Sequence, residues 1–252
     1  MKSIFKAFTA LALLAPVQSV QAADLPVSRP VTSAVAPAFS WYGFYIGVNA
    51  GYAFGGDEVT TFSSPALTGF VPGLAGDPRG FVGGLTWGTN YQFGRWVLGL
   101  ESDFNFSDIS RSQTVVSGGV TNFAEQELSW FGTTRGRIGF TIQDTVLLYA
   151  TGGLANAHAR VNVSHLPTFG AVSDSDNLWG WTAGGGIEWA FGHWSAKIEY
   201  LHYDLGDLSF NYRVGPTLVT TTTNFSGDIV RAGINYRFDW TLWDLVTGRR
   251  RL

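Results

Sequence analysis

Histidine and carboxylate side chains are the groups in this sequence that could bind a metal or act on a substrate. The four histidines are His158, His165, His193 and His202, and there is no cysteine. His158, His165, Asp174 and Asp176 fall in or near one long predicted loop, but their spacing matches neither a zinc site nor a calcium loop. We therefore expect exposed loop residues here, with no metal and no cofactor.

Catalytic patterns are equally sparse. His202 with Asp204 is the one pair that resembles a catalytic dyad, yet no activated nucleophile lies nearby in sequence and no GxSxG motif is present. The run Gly184-Gly185-Gly186 lies inside an alternating segment and does not open a helix, so it does not indicate a phosphate site. The sequence predicts a protein that is not an enzyme.

The N-terminus has the features of a secretory signal peptide over residues 1–22. Lys2 and Lys6 precede an apolar stretch from Ala7 to Val17, and Val20-Gln21-Ala22 offers small residues for cleavage. The stretch is shorter than the roughly 20 residues of a spanning helix. Residues 23–40, rich in Pro, Ala, Val and Ser, are predicted to form a flexible periplasmic leader.

The remaining chain is poor in charge. Only 14% of the whole sequence is charged, against 45% hydrophobic residues and 32 glycines. Beyond residue 22, Lys197 is the only lysine and acidic residues outnumber basic ones. Because no basic stripe is present, nucleic acid is not an expected partner.

Eight segments alternate between apolar and polar residues with a period of two, as β-strands do. They are residues 44–54, 81–93, 96–106, 128–142, 146–159, 178–190, 194–203 and 225–238. In 146–159 the phase is open, because Leu147 and Tyr149 compete with Leu148 and Leu154. The connections alternate between tight turns and long segments near 55–79, 107–126, 160–177 and 204–224. This alternation is typical of an outer-membrane barrel with its short turns in the periplasm.

The polar face has the composition of a narrow lumen. A soluble sandwich or a lipocalin-like barrel would place its apolar face inside. Here the polar face carries many glycines, which a solvated face does not need. Its charges also nearly balance, as buried charges should. The predicted lumen charges are Glu101, Asp103, Arg135, Arg137, Glu188, Lys197, Glu199, Arg231 and Arg237.

Aromatic residues gather at the strand ends, where two membrane interfaces are expected. The predicted aromatic girdle comprises Trp41, Tyr91, Phe93, Trp96, Trp130, Phe140, Trp179, Trp189, Trp194, Tyr236 and Phe238. In lipid, a closed barrel pairs all backbone polar groups. The sequence thus predicts an all-β fold, an eight-stranded antiparallel up-and-down transmembrane β-barrel over residues 41–238 of the cell outer membrane.

Several motifs resemble the opacity-type family of small outer-membrane β-barrels, the porin-family or surface-antigen proteins of α-proteobacteria. They are WYGFYIG at 41–47, GLESDF at 99–104, TRGRIG at 134–139, GWTAGGGIE at 180–188, WSAKIEY at 194–200 and AGINYRF at 232–238. The leader ADLP after Ala22 is also similar. Each motif alone is weak, but together they span nearly the whole chain in the order of the family.

The resemblance implies a structural barrel that supports envelope integrity and displays surface loops. We expect little or no pore activity, because the lumen of an eight-stranded barrel is filled by side chains. Alternatives are a narrow porin for small solutes and a loop-mediated adhesin or haem-binding protein with host ligands. A soluble secreted sandwich is the fourth reading. Implied partners are outer-membrane lipid, lipopolysaccharide and the barrel assembly machinery. Relatives usually end near Phe238, whereas residues 239–252 here form a C-terminal extension, either a short interfacial helix or a loose end.

Overall fold

The computed structural model describes residues 39–55, 58–63, 73–76, 78–166, 169–214, 217–241, 244 and 247–248. The predicted signal peptide and residues 23–38 of the predicted leader lie outside them. The strands are β1 (Gly43–Phe54), β2 (Glu58–Ser63), β3 (Gly73–Gly76), β4 (Gly80–Phe93), β5 (Trp96–Ser117), β6 (Val120–Gln143), β7 (Val146–Leu166), β8 (Phe169–Phe191), β9 (Trp194–Val214) and β10 (Thr217–Arg237). In the described part of the chain, no helix is long and apolar enough to cross a membrane.

Eight of these strands close into a ring. The order is β1-β4-β5-β6-β7-β8-β9-β10, every neighbouring pair is antiparallel, and β10 returns to pair with β1. Closure leaves no edge at membrane depth, which lipid requires. The predicted eight-stranded barrel is confirmed. The short strands β2 and β3 are an addition, attached to the first half of β10.

The lipid-facing surface follows the predicted alternation. Ile46, Val48, Leu85, Leu98 and Ile138 all point outward and are exposed. The open phase of β7 is resolved by the structure, since Leu148 and Leu154 are exposed while Leu147 and Tyr149 are buried. The apolar face is therefore the outer face of the wall.

Three of the four long connections are mostly strand rather than loop. β5 and β6 run on to a turn at Gly118 and Gly119, both with positive φ. β7 with β8 and β9 with β10 also continue well beyond the predicted ends. Most of the Ser, Thr and Asn residues that suggested loops lie on the outward face of these hairpins. Their inward positions are mainly apolar, although Asn122, Gln126, His165, Thr221 and Thr223 are buried there as well. Within 55–79, the described residues include β2 and β3.

The long hairpins form an upper half in which the interior is mainly apolar. The buried cluster, here called the upper core, comprises Ala53, Val82, Ile109, Ala124, Leu128, Phe131, Ala155, Ala157, Ala159, Val161, Val163, Leu178, Leu201, Tyr203, Leu205, Leu208, Tyr212, Val219, Phe225 and Ile229. This core was not predicted, because the polar lumen was expected along the whole strand length.

The wall changes its arrangement where the upper half begins. Bulges interrupt the ladders between Phe106 and Ile109 and between Asn224 and Ser226. The β8–β9 ladder ends at the Trp181–Asp204 pair. Above it, β5 to β8 form one sheet, and β9 and β10 with β2 and β3 form another. Bulges bend strands and increase their twist, which lets the two sheets close over the upper core.

The C-terminal extension begins as an ordered continuation of the barrel. The Phe44 N–H donates to the Trp240 carbonyl at 2.7 Å, and the two rings stack at 5.6 Å between centroids. Thr241 and Asp244 then form a capping box, since each backbone N–H bonds the other's side chain at 2.8 and 3.2 Å. The Tyr42 hydroxyl donates to the same Asp244 carboxylate at 2.6 Å. At its described residues, the extension has a helix start rather than a loose end.

Candidate functional site

The lower half of the barrel interior holds a cluster of eight charged side chains, here called the lumen network. Its members are Glu101 and Asp103 on β5, Arg135 and Arg137 on β6, Glu188 on β8, Lys197 and Glu199 on β9, and Arg231 on β10. Where two come from one strand they are two residues apart, because that spacing returns a side chain to the same face. Four carboxylates face four cations, so the cluster is formally neutral.

Arg135 lies at the centre of the lumen network and is 0% exposed. Its guanidinium is 2.6 Å from Glu101, 3.0 Å from Asp103 and 3.1 Å from Glu199. Its Nε also donates to the Thr133 hydroxyl at 2.9 Å. An arginine suits this position because its planar fork carries five donors in a fixed geometry.

The network joins opposite walls of the barrel. β5 and β9 are four positions apart in the ring of eight. Even so, the Lys197 Nζ donates to both Glu101 oxygens at 2.7 and 2.8 Å. Arg231 on β10 bonds Asp103 on β5 at 2.9 Å and Glu199 through its Nε at 2.7 Å. These bonds therefore close the lumen across its width.

Neutral groups complete the solvation of the carboxylates. Tyr45 donates to Glu101 at 2.8 Å and Tyr149 donates to Glu199 at 3.0 Å. Ser195 and Asn235 donate to Glu188, which is also ion-paired with Arg137. Such bonds are required, since a buried charge left unpaired costs several kcal/mol.

The lumen glycines make room for the tyrosines that reach these carboxylates. Tyr45 is paired across the ladder with Gly88, and Tyr149 is paired with both Gly186 and Gly139. A Cβ at Gly186 would meet the Ile198 carbonyl oxygen and would also lie 2.7 Å from the Tyr149 hydroxyl and 2.9 Å from its ring carbon. A larger residue would therefore displace the ring from Glu199.

Arg237 does not join the network, although it was predicted to. Its guanidinium lies 4.3 Å above the Phe39 ring, and its Nη1 donates to the Tyr42 carbonyl at 3.4 Å. It faces inward like the other lumen cations, but it stands at the short-turn end of β10, below the carboxylates. An odd or even position along a strand specifies which face a side chain lies on, but not its distance along the barrel axis. The prediction that Arg237 belongs to the lumen network was therefore wrong.

Trp41 is also placed differently from its prediction as a girdle residue. It is 2% exposed and packs with Phe39, Val97, Leu147 and Tyr149 inside the short-turn mouth. Its indole N–H donates to the Asp144 carbonyl at 2.9 Å. The cavity beside it, lined also by Arg237, has a volume of only about 10 Å³. Trp41 thus fills the short-turn mouth of the barrel.

The ten other predicted girdle residues lie at least partly exposed on the wall. At the short-turn end, the Trp96 and Phe140 rings are 5.2 Å apart and the Trp194 and Tyr236 rings are 5.1 Å apart, both edge to face. At the other end, Trp130 stacks on Phe104 at 5.6 Å.

The histidines make specific contacts that differ from the predicted exposed loop. His165 is buried in the upper half, with Nδ1 2.7 Å from the Asn122 amide oxygen and Nε2 3.1 Å from the Tyr212 hydroxyl. Burial lowers the pKa of His165 to about 4. His158 lies on the outer face, with its Nδ1 3.1 Å from the Asn177 side chain.

The candidate dyad is not formed. The His202 Nδ1 lies 2.9 Å from Asp228, which also accepts from Tyr200 at 2.6 Å, whereas Asp204 accepts the Gly206 N–H. Across the described ranges, no group of three His, Asp or Glu side chains could hold a metal ion.

Comparison with known proteins agrees with this architecture. The model of a family described as "Outer membrane protein beta-barrel domain" matches residues 9–238. The chain belongs to this outer-membrane β-barrel family. It is therefore a protein of the outer membrane.

Two relatives are informative. The 31 kDa outer-membrane immunogenic protein of Brucella melitensis is 39% identical over 236 residues, covering 87% of this chain and 94% of the relative. The 22 kDa outer membrane protein of Rhizobium leguminosarum is 30% identical, covering 81% of each chain. Both agree with the resemblance to small α-proteobacterial barrels. Among solved structures, OprG of Pseudomonas aeruginosa covers 80% of this chain at 13% identity with a TM-score of 0.47.

Proposed function

We propose that this member of the outer-membrane β-barrel family is a non-conducting structural protein that reinforces the envelope and displays its upper half on the cell surface. One observation carries the proposal: side chains occupy the interior of the described barrel at three successive levels. Trp41 occupies the lower mouth, the lumen network spans the middle, and the upper core fills the rest. A barrel of eight strands has an interior that side chains just fill.

The contents of the interior also differ from those of an aqueous channel. The charged side chains of the lumen network are at most 4% exposed and pair with one another. Above them, apolar side chains such as Phe131 and Tyr203 meet with ring centroids 5.2 Å apart. Moving a hydrated solute through this path would require breaking the ion pairs and separating the apolar layer.

The test is conductance of the purified protein in planar bilayers, with a general porin as the control for insertion and recording. We expect no steady unitary steps from the wild-type protein. A second sample would carry Arg135→Ser, which removes the centre of the lumen network, together with Phe131→Ala and Tyr203→Ala, which remove large side chains of the upper core. This triple variant should conduct ions. Well-resolved steps of constant size from the wild-type protein would refute the proposal and favour the narrow porin.

The structural role is tested in the cell. Deleting the gene should increase sensitivity to detergents, and the wild-type protein should restore resistance. The supporting contacts are those of the outer face, where the apolar belt meets lipid and the residues above it meet lipopolysaccharide. Because its relatives are named immunogenic, we also expect antibodies raised against the purified barrel to bind intact cells. Unchanged detergent sensitivity after deletion would contradict the role in envelope integrity.

A further inference from the structure

The seam between β8 and β9 leaves part of β9 as the edge of a sheet. The ladder between these strands ends at Trp181 and Asp204, and beyond it the ladders of the described strands join β9 to β10. Gly206, with φ +74°, redirects β9, and its N–H bonds the Asp204 carboxylate at 2.9 Å. Residues 205–213 are here called the β9 edge. Edge strands are templates for pairing with another strand.

The polar side chains on the two sides of the seam form different hydrogen bonds. On β8, Asp174 accepts the N–H of Ser175 at 3.0 Å and Asp176 accepts the N–H of Asn177 at 2.7 Å. Side chains that bond local backbone groups compete with strand pairing. On the β9 edge, the outward polar side chains bond β10 instead, namely Asp207 with Asn224, Ser209 with Thr222 and Asn211 with Thr220, at 2.6 to 3.0 Å.

The side chains of the β9 edge are complementary to a second copy of themselves. Asp207, Ser209, Asn211 and Arg213 are all exposed on one face. In an antiparallel pair centred on Phe210, Asp207 of each copy lies opposite Arg213 of the other, and Ser209 lies opposite Asn211. Opposite charges directly across a strand pair are favourable, and the two-fold symmetry provides this ion pair twice.

The membrane determines which copies can pair in this way. β9 runs from the periplasmic turn at Gly192 toward the outside, so two barrels in one membrane present parallel edges. A parallel pair in register sets Asp207 against Asp207 and Arg213 against Arg213, which is repulsive. A parallel pair shifted by six residues forms one ion pair instead of two. Barrels in two facing membranes present antiparallel edges and form both.

We propose that the β9 edge is a homophilic contact site through which barrels of two facing outer membranes pair as antiparallel strands. This contact does not depend on whether the lumen conducts. The outward face of β9 becomes polar at His202, eight residues below Phe210. At about 3.3 Å per residue, two copies span at most about 50 Å between the membrane surfaces.

Proteoliposomes that carry the full-length barrel test the contact. Wild-type vesicles should cluster in light scattering, with gaps of at most about 50 Å in cryo-electron micrographs and weaker clustering at high salt. Asp207→Arg alone and Arg213→Asp alone should each reduce clustering at least fivefold, because like charges then face each other. Mixing the two variant populations should restore clustering, since each supplies the charge that the other lacks.

The matched control is Arg160→Asp, an exposed charge reversal on β7, which should cluster like the wild type. Heat-modifiable gel mobility establishes that every variant is folded, and recovery on mixing shows it independently for the two edge variants. The proposal is overturned if wild-type vesicles stay dispersed. The proposal is also overturned if either edge variant alone clusters as strongly as the wild type. In that case a surface other than the β9 edge causes the clustering.

Discussion

Replacing Lys197 with methionine isolates the ion pair that crosses the lumen. The change keeps the length of the side chain and removes the ammonium that bonds both Glu101 oxygens. Breaking a buried pair costs about 3–5 kcal/mol. Glu101 retains Arg135 at 2.6 Å and Tyr45 at 2.8 Å. We therefore expect the lower end of that range, about 3 kcal/mol.

A double-mutant cycle separates the pair from the side chains themselves. Glu101→Gln alone leaves the Lys197 ammonium without its main partner and should also cost about 3 kcal/mol. The double variant removes one charge of each sign, so the network stays neutral and the loss should be near 2 kcal/mol instead of the sum of the two. This non-additivity is the signature of a direct interaction.

The assay is urea unfolding of the barrel in lipid vesicles, followed by tryptophan fluorescence and by gel mobility without boiling. Ile198→Met is the matched control, because it places the same side chain at the adjacent, lipid-facing position, where we expect less than 1 kcal/mol. Additive single effects, or a loss below 1 kcal/mol for Lys197→Met, would refute the description of a closed, desolvated network.

Three further predictions follow from single contacts. Gly186→Ala should destabilise the barrel by about 1–3 kcal/mol, because its methyl group meets both the Ile198 carbonyl oxygen and the Tyr149 ring. In the same unfolding assay, adding Tyr149→Ala relieves only the ring contact, so the cost of Gly186→Ala should fall without disappearing; an unchanged cost would show that the ring contact contributes nothing. The folded-state pKa of His165 is lowered to about 4, so between pH 6.5 and pH 4 only the unfolded chain takes up the proton. The stability of the upper half should therefore fall by up to about 3 kcal/mol over that range. Hydrogen exchange should show this loss of stability in the wild type and in His158→Gln but not in His165→Gln. Tyr42→Phe removes the hydroxyl that holds the C-terminal capping box and should speed proteolysis of residues beyond 238 while leaving gel mobility unchanged; equal cleavage rates would show that this bond does not order the extension.

Much of the lower barrel could be predicted from local pattern. The outward series Ile46 and Val48 was assigned from period two alone, because neighbouring side chains in a strand must point to opposite faces. The same rule assigned Glu101 and Arg135 to the interior, and the structure pairs them across the β5–β6 ladder. The near balance of positive and negative charges on the polar face indicated that this face lines a narrow interior from which water is excluded.

The upper half was missed because composition and pattern disagree there. Ser, Thr, Asn and Asp are common in loops, yet on the long hairpins most of them occupy the outward, solvated face of a strand. Inward residues such as Val161 and Val163 form a short apolar alternation in the sequence. The lipid-facing residues of the lower barrel form the same alternation, so the sequence does not distinguish the two. His165 was predicted to be exposed because residues 160–177 were taken as a loop, whereas it is buried and bonded to Asn122 and Tyr212.

The sequence alone thus determined the number of strands in the closed ring, the faces of those strands and the inversion of apolar and polar surfaces, since these depend on local geometry and on the solvent around the wall. Only the tertiary structure decided the height of each side chain in the barrel, which excluded Arg237 from the network, turned Trp41 inward and brought β5 residues to β9. The reason is physical: height is set by the stagger between neighbouring strands, and that stagger results from all eight ladders closing together.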